Sequence, residues 1–288
     1  MHPNHCTAKH AANQLFVKVL LPIVFLVSST CNLVIAQASP KPVYLSVLYV
    51  KVSPGMGATY HEMLNTYTRK VNENHLKAGR IIGWYTHDVL FPSGSSAAYD
   101  MTIVTVSNNL GFLIDDTVGY GSWLRQVLHN VNEQTLVSIM NSFAAARTIV
   151  KREIYSFIDG INTSTIPSKY VQVDYMKTAP NKGAEYVKTE REMFKPVHAD
   201  FVKQGKKDDW GLYSLDMPYS ETSNYDYFTA NFFSTTTQMT SGNYAETFKK
   251  LFPKLDMNVI WNNMNGLRKM YRSELWKLGV YVDQTNTK

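Results

Sequence analysis

Asp174, Glu190 and Asn231 are the residues whose types suit chemistry best. Two carboxylates and an amide on one side of a fold can hold a ligand's polar groups or move a proton, if burial perturbs them. An internal comparison singles them out. At a fixed offset of 126 residues they stand opposite Leu48, Leu64 and Thr105, all less polar. In the other direction His75 stands opposite Phe201. Burying a carboxylate costs several kcal/mol unless it is paired or neutralised. Polar residues on an otherwise apolar face of one copy therefore need a reason, and a ligand is one. A solvated position at the rim is the other. The pocket is accordingly expected to be asymmetric and to lie in the second copy. Trp84, Trp210, Tyr49 and Tyr175 join the candidate ligand-binding residues, as core aromatics able to line a cavity.

Other chemistry is thin. G-x-S-x-G, H-E-x-x-H, the P-loop and G-x-G-x-x-G are all missing from the sequence. His61-Glu62 lacks a second His four residues on, and His61, His75, His87, His129 and His198 show no ligand spacing on one helix face. No metal site is expected, and the reading leans away from catalysis.

The elements that must position these residues come from the repeat. Tyr49-x-Lys51-x-x-Pro54-x-x-Gly57-Ala58-x-Tyr60 matches Tyr175-x-Lys177-x-x-Pro180-x-x-Gly183-Ala184-x-Tyr186. The register holds without a gap through Trp84/Trp210, Pro92/Pro218 and Tyr99-Asp100/Tyr225-Asp226, with 15 identities in 64 pairs. A looser match, shifted by five, links Arg147–Tyr155 to Arg268–Trp276. In each copy a β-branched and aromatic run predicts a strand, Val43–Val52 or Tyr170–Thr178. Ser53-Pro54 offers an N-cap and a first-turn proline, and Gly79 stops the helix that follows. Strands follow at Ile81–Phe91 and Tyr99–Val106, then a helical stretch over Ser122–Ala146 and a strand at Thr148–Ile158. The second copy gives a helix over Asn181–Lys203, strands Trp210–Met217 and Tyr225–Phe233, helices between Ser241 and Met270, and a strand Tyr271–Val282. Lys51 with Asp100, and Lys177 with Asp226, are placed to pair across strands. The order is β-α-β-β-α-β twice, the ferredoxin-like split unit.

Leu45, Val47 and Tyr49 on one face of the first strand, and Tyr44, Leu48 and Val50 on the other, are apolar. Helices cover only one face of such a sheet, and the second needs a partner, since a solvated face would alternate. The expected fold is α+β: two ferredoxin-like modules packed sheet to sheet as an intrachain pseudo-dimeric α/β barrel. Such a chain resembles the dimeric α/β-barrel superfamily, which includes antibiotic-biosynthesis monooxygenases, NIPSNAP-like proteins and chlorite-dismutase-like haem proteins. Pro54-Gly55-Met56-Gly57-Ala58-Thr59-Tyr60 is similar to the strand-PG-helix start common there. The resemblance implies a pocket between sheet and helices. Haem-degrading relatives use an Asn, a Trp and a His, and Asn231, Trp84, Trp210 and His75 are of those types, although the first strand has no Asn. A chlorite-dismutase-like haem would need an axial His in the second module, where His198 is the one available.

The chain has 288 residues, 44% of them apolar and 18% charged, which suits one large or two ordinary globular domains. Lys9 and Lys18, the apolar run Val19–Val27 and Ala36-Gln37-Ala38 describe a secretory signal peptide, 1–38. Cleavage is expected after Ala38 or Ala36, the alternative being an uncleaved anchor. Its loss lowers the formal net charge of +6 by two and removes both cysteines, Cys6 and Cys31. The basic residues form no nucleic-acid stripe. The expected organisation is module 1 over 39–160, a linker over 161–168 holding the sequon Asn162-Thr163-Ser164, and module 2 over 169–288. The protein is expected to be exported, periplasmic or secreted, with no membrane span in the mature chain. Its expected function is to bind a small apolar or aromatic molecule in a pocket of the barrel without a cofactor. The alternative is a monooxygenase-like or haem-handling enzyme. Whether it is a monomer or a homo-oligomer is left open by the sequence.

Overall fold

Alternating β-branched and aromatic residues make Tyr44–Val52 a strand (β1) whose two faces serve two cores. Leu45, Val47 and Tyr49 point to a core shared with the second half of the chain, and Leu48 and Val50 point to the helices of the first half. The computed structural model describes residues 41–115, 119–161, 166–220 and 222–286. The signal segment expected at 1–38 and the Asn162-Thr163-Ser164 sequon lie outside these. Among the described residues no helix is long and apolar enough to cross a membrane.

The first half continues with α1 (Gly57–Met63), a π-helical turn (Leu64–Thr68) and α2 (Arg69–Lys77). The hairpin β2 (Gly83–Phe91) and β3 (Met101–Ser107) follows. Then come α3 (Leu110–Ile114), α4 (Tyr120–Val127), α5 (Glu133–Ala146) and β4 (Arg147–Gly160). The second half repeats the scheme: β5 (Tyr170–Thr178), α6 (Gly183–Thr189), a π turn (Glu190–Phe194) and α7 (Lys195–Lys203). After it come β6 (Asp209–Met217), β7 (Tyr227–Phe233), α8 (Thr236–Ser241), α9 (Tyr244–Leu251), α10 (Met257–Leu267) and β8 (Arg268–Val282). The backbone obeys the same offset. Gly55 (φ 78°) and Asn181 (φ 61°) hold one left-handed position, and Gly79 (φ 66°) and Gly205 (φ 68°) end the two helices.

The strands close into a barrel in the order β1-β3-β2-β8-β5-β7-β6-β4. Each half supplies one four-stranded antiparallel sheet, and β2–β8 and β4–β6 stitch the sheets together at both edges. Closure removes the sheet edges that would otherwise invite aggregation. Lys51 and Asp100 pair at 2.8 Å, as do Lys177 and Asp226. This is the α+β pseudo-dimeric arrangement expected from the repeat.

Three local expectations are corrected. Ser53 does not cap the first helix: its hydroxyl donates to the Ala145 carbonyl, its own carbonyl accepts from Met56 in a turn, and the helix begins at Gly57. The stretch 122–146 is broken, because the Leu128 N–H turns back to Leu124 and Asn132 caps a new helix. β8 starts at Arg268, three residues early, since pairing with Thr178 already extends the backbone there.

Candidate functional site

In the first half, α1, α2, α4 and α5 lie over the outer face of the sheet but do not fill the space between. A cavity of 460 Å³ remains, lined by Tyr60, Trp84, Tyr120, Trp123, Phe143 and Arg147 among others. His75 also lines it. α2 presents its imidazole edge-on to Trp123 (4.7 Å) and Phe112 (5.1 Å). Burial lifts the Tyr60 and Tyr120 hydroxyls to about 12, so both stay neutral at pH 7. Arg147 opens β4 opposite Val52, and its guanidinium carbon sits 6.0 Å from the Tyr60 ring centre. Its Nε is buried without a hydrogen-bond partner, and no ion pair forms to it among the described residues. Arg152, further along β4, donates to Ser46 and to the Leu113 carbonyl. The cavity is thus aromatic, with two guanidiniums on its wall.

The equivalent layer in the second half holds a buried polar cluster. Asp174 accepts from Gln172 (3.0 Å), Asn231 (3.0 Å) and Ser273 (2.5 Å). The Asn231 carbonyl accepts from Lys207 at 2.7 Å, and the same ammonium lies 2.7 Å from His198 Nδ1. Glu190, on the first residue of the π turn, is 4% exposed. Burial pushes its carboxyl up to about 7 against the pull of Arg268. Burial likewise pushes Lys207 down to about 7, opposed by Asp174 and Glu190. The three acceptor residues singled out in the sequence therefore share one cluster, and they face its own donors.

The barrel interior holds the remaining candidates. Tyr49 and Tyr175 meet hydroxyl to hydroxyl at 3.1 Å, with Tyr155 3.4 Å from Tyr49. Glu153 accepts from Tyr155 and Tyr225 and pairs with Lys151, while Glu274 accepts from Tyr99 and Trp276 and pairs with Arg272. Despite burial, Lys151 and the two hydroxyls hold Glu153 below the usual carboxylate range. Tyr49 and Tyr175 thus serve a packed, nearly two-fold plug at one end of the barrel.

Of the sequence candidates, His75 and Trp84 line the first-half cavity, and Asp174, Glu190 and Asn231 sit in the polar cluster. Trp210 stacks on His198 at 5.0 Å. The surroundings of His198 do not fit an axial haem ligand: Lys207 occupies Nδ1, Trp210 covers one ring face, and Tyr244 packs edge-on at 5.7 Å. Burial and the neighbouring Lys207 both disfavour its protonation. Sequence reasoning missed Lys207 and Arg147. The signal for Lys207 was its partner at the same offset, Ile81. Arg147 and Arg268 head the looser repeat but lie outside the strands expected at Thr148–Ile158 and Tyr271–Val282.

No protein-family profile matches the sequence, and no curated protein sequence matches it. Solved structures do. A "putative monooxygenase" from Fusobacterium nucleatum subsp. nucleatum ATCC 25586 is similar over 86% of this chain and 96% of its own, at 9% identity and a TM-score of 0.51. A mutant chlorite dismutase from Candidatus Nitrospira defluvii in complex with cyanide covers 83% of this chain and 91% of its own (9% identity, TM-score 0.47). A haem-binding protein from Thermus thermophilus covers 84% and 95% (11% identity, TM-score 0.43). At 9% identity the likeness to the first of these speaks for the fold alone, that of the dimeric α/β barrel.

Proposed function

We propose that the protein binds a small aromatic or apolar molecule bearing a carboxylate, or an equivalent anionic group, in the first-half cavity. One observation carries this. Arg147 and Arg268 occupy the same place in the two halves, opposite Val52 and Thr178, and the Nε of each is buried without a hydrogen-bond partner, but among the described residues only Arg268 has a buried carboxylate, Glu190, close enough for their charges to interact. The residue matching Glu190 is Leu64, which lines the cavity beside Arg147. A bound carboxylate would supply to Arg147 what Glu190 supplies to Arg268, and guanidinium–carboxylate pairing is directional and strong out of water. The volume falls within the ordinary range for small-molecule sites, about 300–1,000 Å³, and the aromatic walls suit an aromatic body.

Benzoate titrated into the protein by calorimetry tests this reading. Binding is expected, and Arg147→Leu should weaken it at least tenfold, roughly the worth of one charge-assisted hydrogen bond. Equal benzoate affinity in wild type and variant would overturn it. A second reading makes the same cavity an oxygenase site, supported by His75 and Trp84 meeting there. Mass spectrometry of an electron-rich aromatic acid after incubation in air separates the two. Recovery unchanged supports binding, and a product that has gained one oxygen atom and lost two hydrogen atoms, which leave with the second oxygen atom as water, supports the oxygenase. Export is part of the proposal and rests on the N-terminal sequence; N-terminal sequencing should find Ser39 or Gln37 first, and Met1 on the mature protein would refute it.

A further inference from the structure

We propose that the end of the barrel opposite the tyrosine plug holds a second ligand site, which takes a compact neutral aromatic molecule through one hydrogen bond to His87. The interior there is not filled. A cavity of 500 Å³ runs between the two sheets, walled by Val47, Val104, Val173, Phe232 and Trp276 among others. Alternation along β2 turns Tyr85, His87 and Val89 into the barrel, while Trp84 faces the helices. His87 is 7% exposed, and its Nδ1 is buried without a hydrogen-bond partner. Buried polar atoms are nearly always paired, so an orphan beside an open cavity marks the place of a missing partner.

The walls are mostly apolar, with polar groups supplied by Ser168, Asp209, Asp283, Gln284 and Thr285. The offset comparison again exposes an asymmetry. His87 corresponds to Tyr213, which stacks on Phe228 at 4.5 Å, and both of those rings line the same cavity as His87. The imidazole is the shorter side chain of the two, with Trp276 tilted beside it at 5.5 Å. Burial drives the His87 pKa down to about 4, so the ring is neutral at pH 7 and offers an acceptor nitrogen. Charge selects against anions here. Among the described residues no Lys or Arg lines the cavity, whereas Asp209 and Asp283 do. The two cavities thus differ in the ligand they favour: an anionic aromatic beside Arg147, a neutral one beside His87.

The test compares p-cresol with toluene on the full chain at pH 7. The two differ by one hydroxyl. Wild type should bind p-cresol roughly tenfold more tightly, the worth of one satisfied buried hydrogen bond. His87→Leu should bring the two affinities level, and Val173→Phe, which fills the cavity, should weaken both at least tenfold. A p-cresol preference that survives His87→Leu and falls in Arg147→Leu would place the phenol in the first-half cavity and overturn the inference. No preference in wild type would overturn it too. Should His87→Leu fail to fold, the ¹⁵N resonances of the His87 ring in wild type decide: movement with p-cresol supports the site, and none refutes it. Failure of benzoate to bind, with the p-cresol result intact, would sink only the first-half reading.

Discussion

The two helix–sheet layers begin from one plan and end differently. Both start a helix after Pro54 or Pro180, insert a π turn at residue 64 or 190, and place an arginine at residue 147 or 268 opposite the end of the first strand. In the second half, Glu190, Asp174, Asn231 and Lys207 answer one another in a buried polar cluster. In the first, their counterparts Leu64, Leu48, Thr105 and Ile81 carry no charge, and a cavity with an arginine on its wall remains. On the proposed reading, an internal carboxylate and a bound one are alternative solutions to the same half-buried arginine, and the half richer in titratable groups is the half that needs no ligand.

The comparison breaks first at Lys207. Lys207→Ile imports the first-half residue and leaves two buried carboxylates facing an amide with no cation to balance them. Breaking a buried ion pair on one side costs about 3–5 kcal/mol. Denaturant unfolding should show a loss in that range, largely recovered in the double variant Lys207→Ile/Glu190→Leu. A loss below about 1 kcal/mol would mean the cluster is not electrostatically closed.

Acidity gives the next largest effect. Glu190 titrates near 7 folded and near 4.5 unfolded. Below pH 4.5 both forms are protonated and the group costs nothing. Between 4.5 and 7 the unfolded chain releases its proton first, so stability falls as pH rises. Lys207 works in the opposite sense: its folded value near 7 lies below the ordinary 10.5, so stability returns as pH rises from 7 to 10.5. Stability from this cluster is therefore lowest near pH 7, with an acid-side arm of about 2–3 kcal/mol. Glu190→Gln should flatten that arm. Its persistence in the variant would assign it to another group.

Much of this frame was legible in the sequence. The strand Tyr170–Thr178 has the bounds its β-branched and aromatic composition implied, and both Lys–Asp bridges form. The barrel's closure was not fully legible, because β2–β8 and β4–β6 join residues distant in the chain through backbone hydrogen bonds that no pattern marks. The five-residue helix Leu110–Ile114 is too short to show a period. The site was half legible. Exchange of Leu48, Leu64 and Thr105 for Asp174, Glu190 and Asn231 marks positions at which the halves differ. It cannot say whether buried polar groups satisfy each other or await a ligand, since that depends on donors such as Lys207 arriving from another element. A cavity is made by side chains that stop short, as Leu64 does, and shortness at one position leaves no pattern.

A smaller change sharpens the comparison from the first-half side. Leu64→Glu places in the cavity the carboxylate that its twin position already carries. It should sit against Arg147 and compete with a bound acid. Benzoate affinity is expected to fall at least tenfold, about 1.4 kcal/mol, while p-cresol binding in the barrel stays as it was. Unchanged benzoate binding would show that Arg147 does not hold the acid group.

The smallest expected difference concerns a feature both halves share. Lys51–Asp100 and Lys177–Asp226 bridge the same two strands at the same 2.8 Å distance. Each aspartate also accepts the backbone N–H of the residue after its lysine, Val52 or Thr178. The second copy adds one bond, from the Thr178 hydroxyl at 2.7 Å, and its carboxylate is 15% exposed against 37% in the first. Burial alone would raise the Asp226 pKa; the bonds from Lys177 and Thr178 overcome it and hold the carboxyl below the usual range. Its contribution is therefore present above the unfolded value near 3.8 and lost as pH falls through the lower folded value. Asp226→Asn should cost about 1 kcal/mol more than Asp100→Asn, the net worth of one extra hydrogen bond to a charged group. Thr178→Val should remove most of that difference, because Val52 is the residue the first half carries there. Equal losses for the two asparagine variants, measured by denaturant unfolding at pH 7, would show that this bridge is as symmetric in energy as in geometry. The divergence between the halves would then be confined to the helix–sheet layers and the barrel interior.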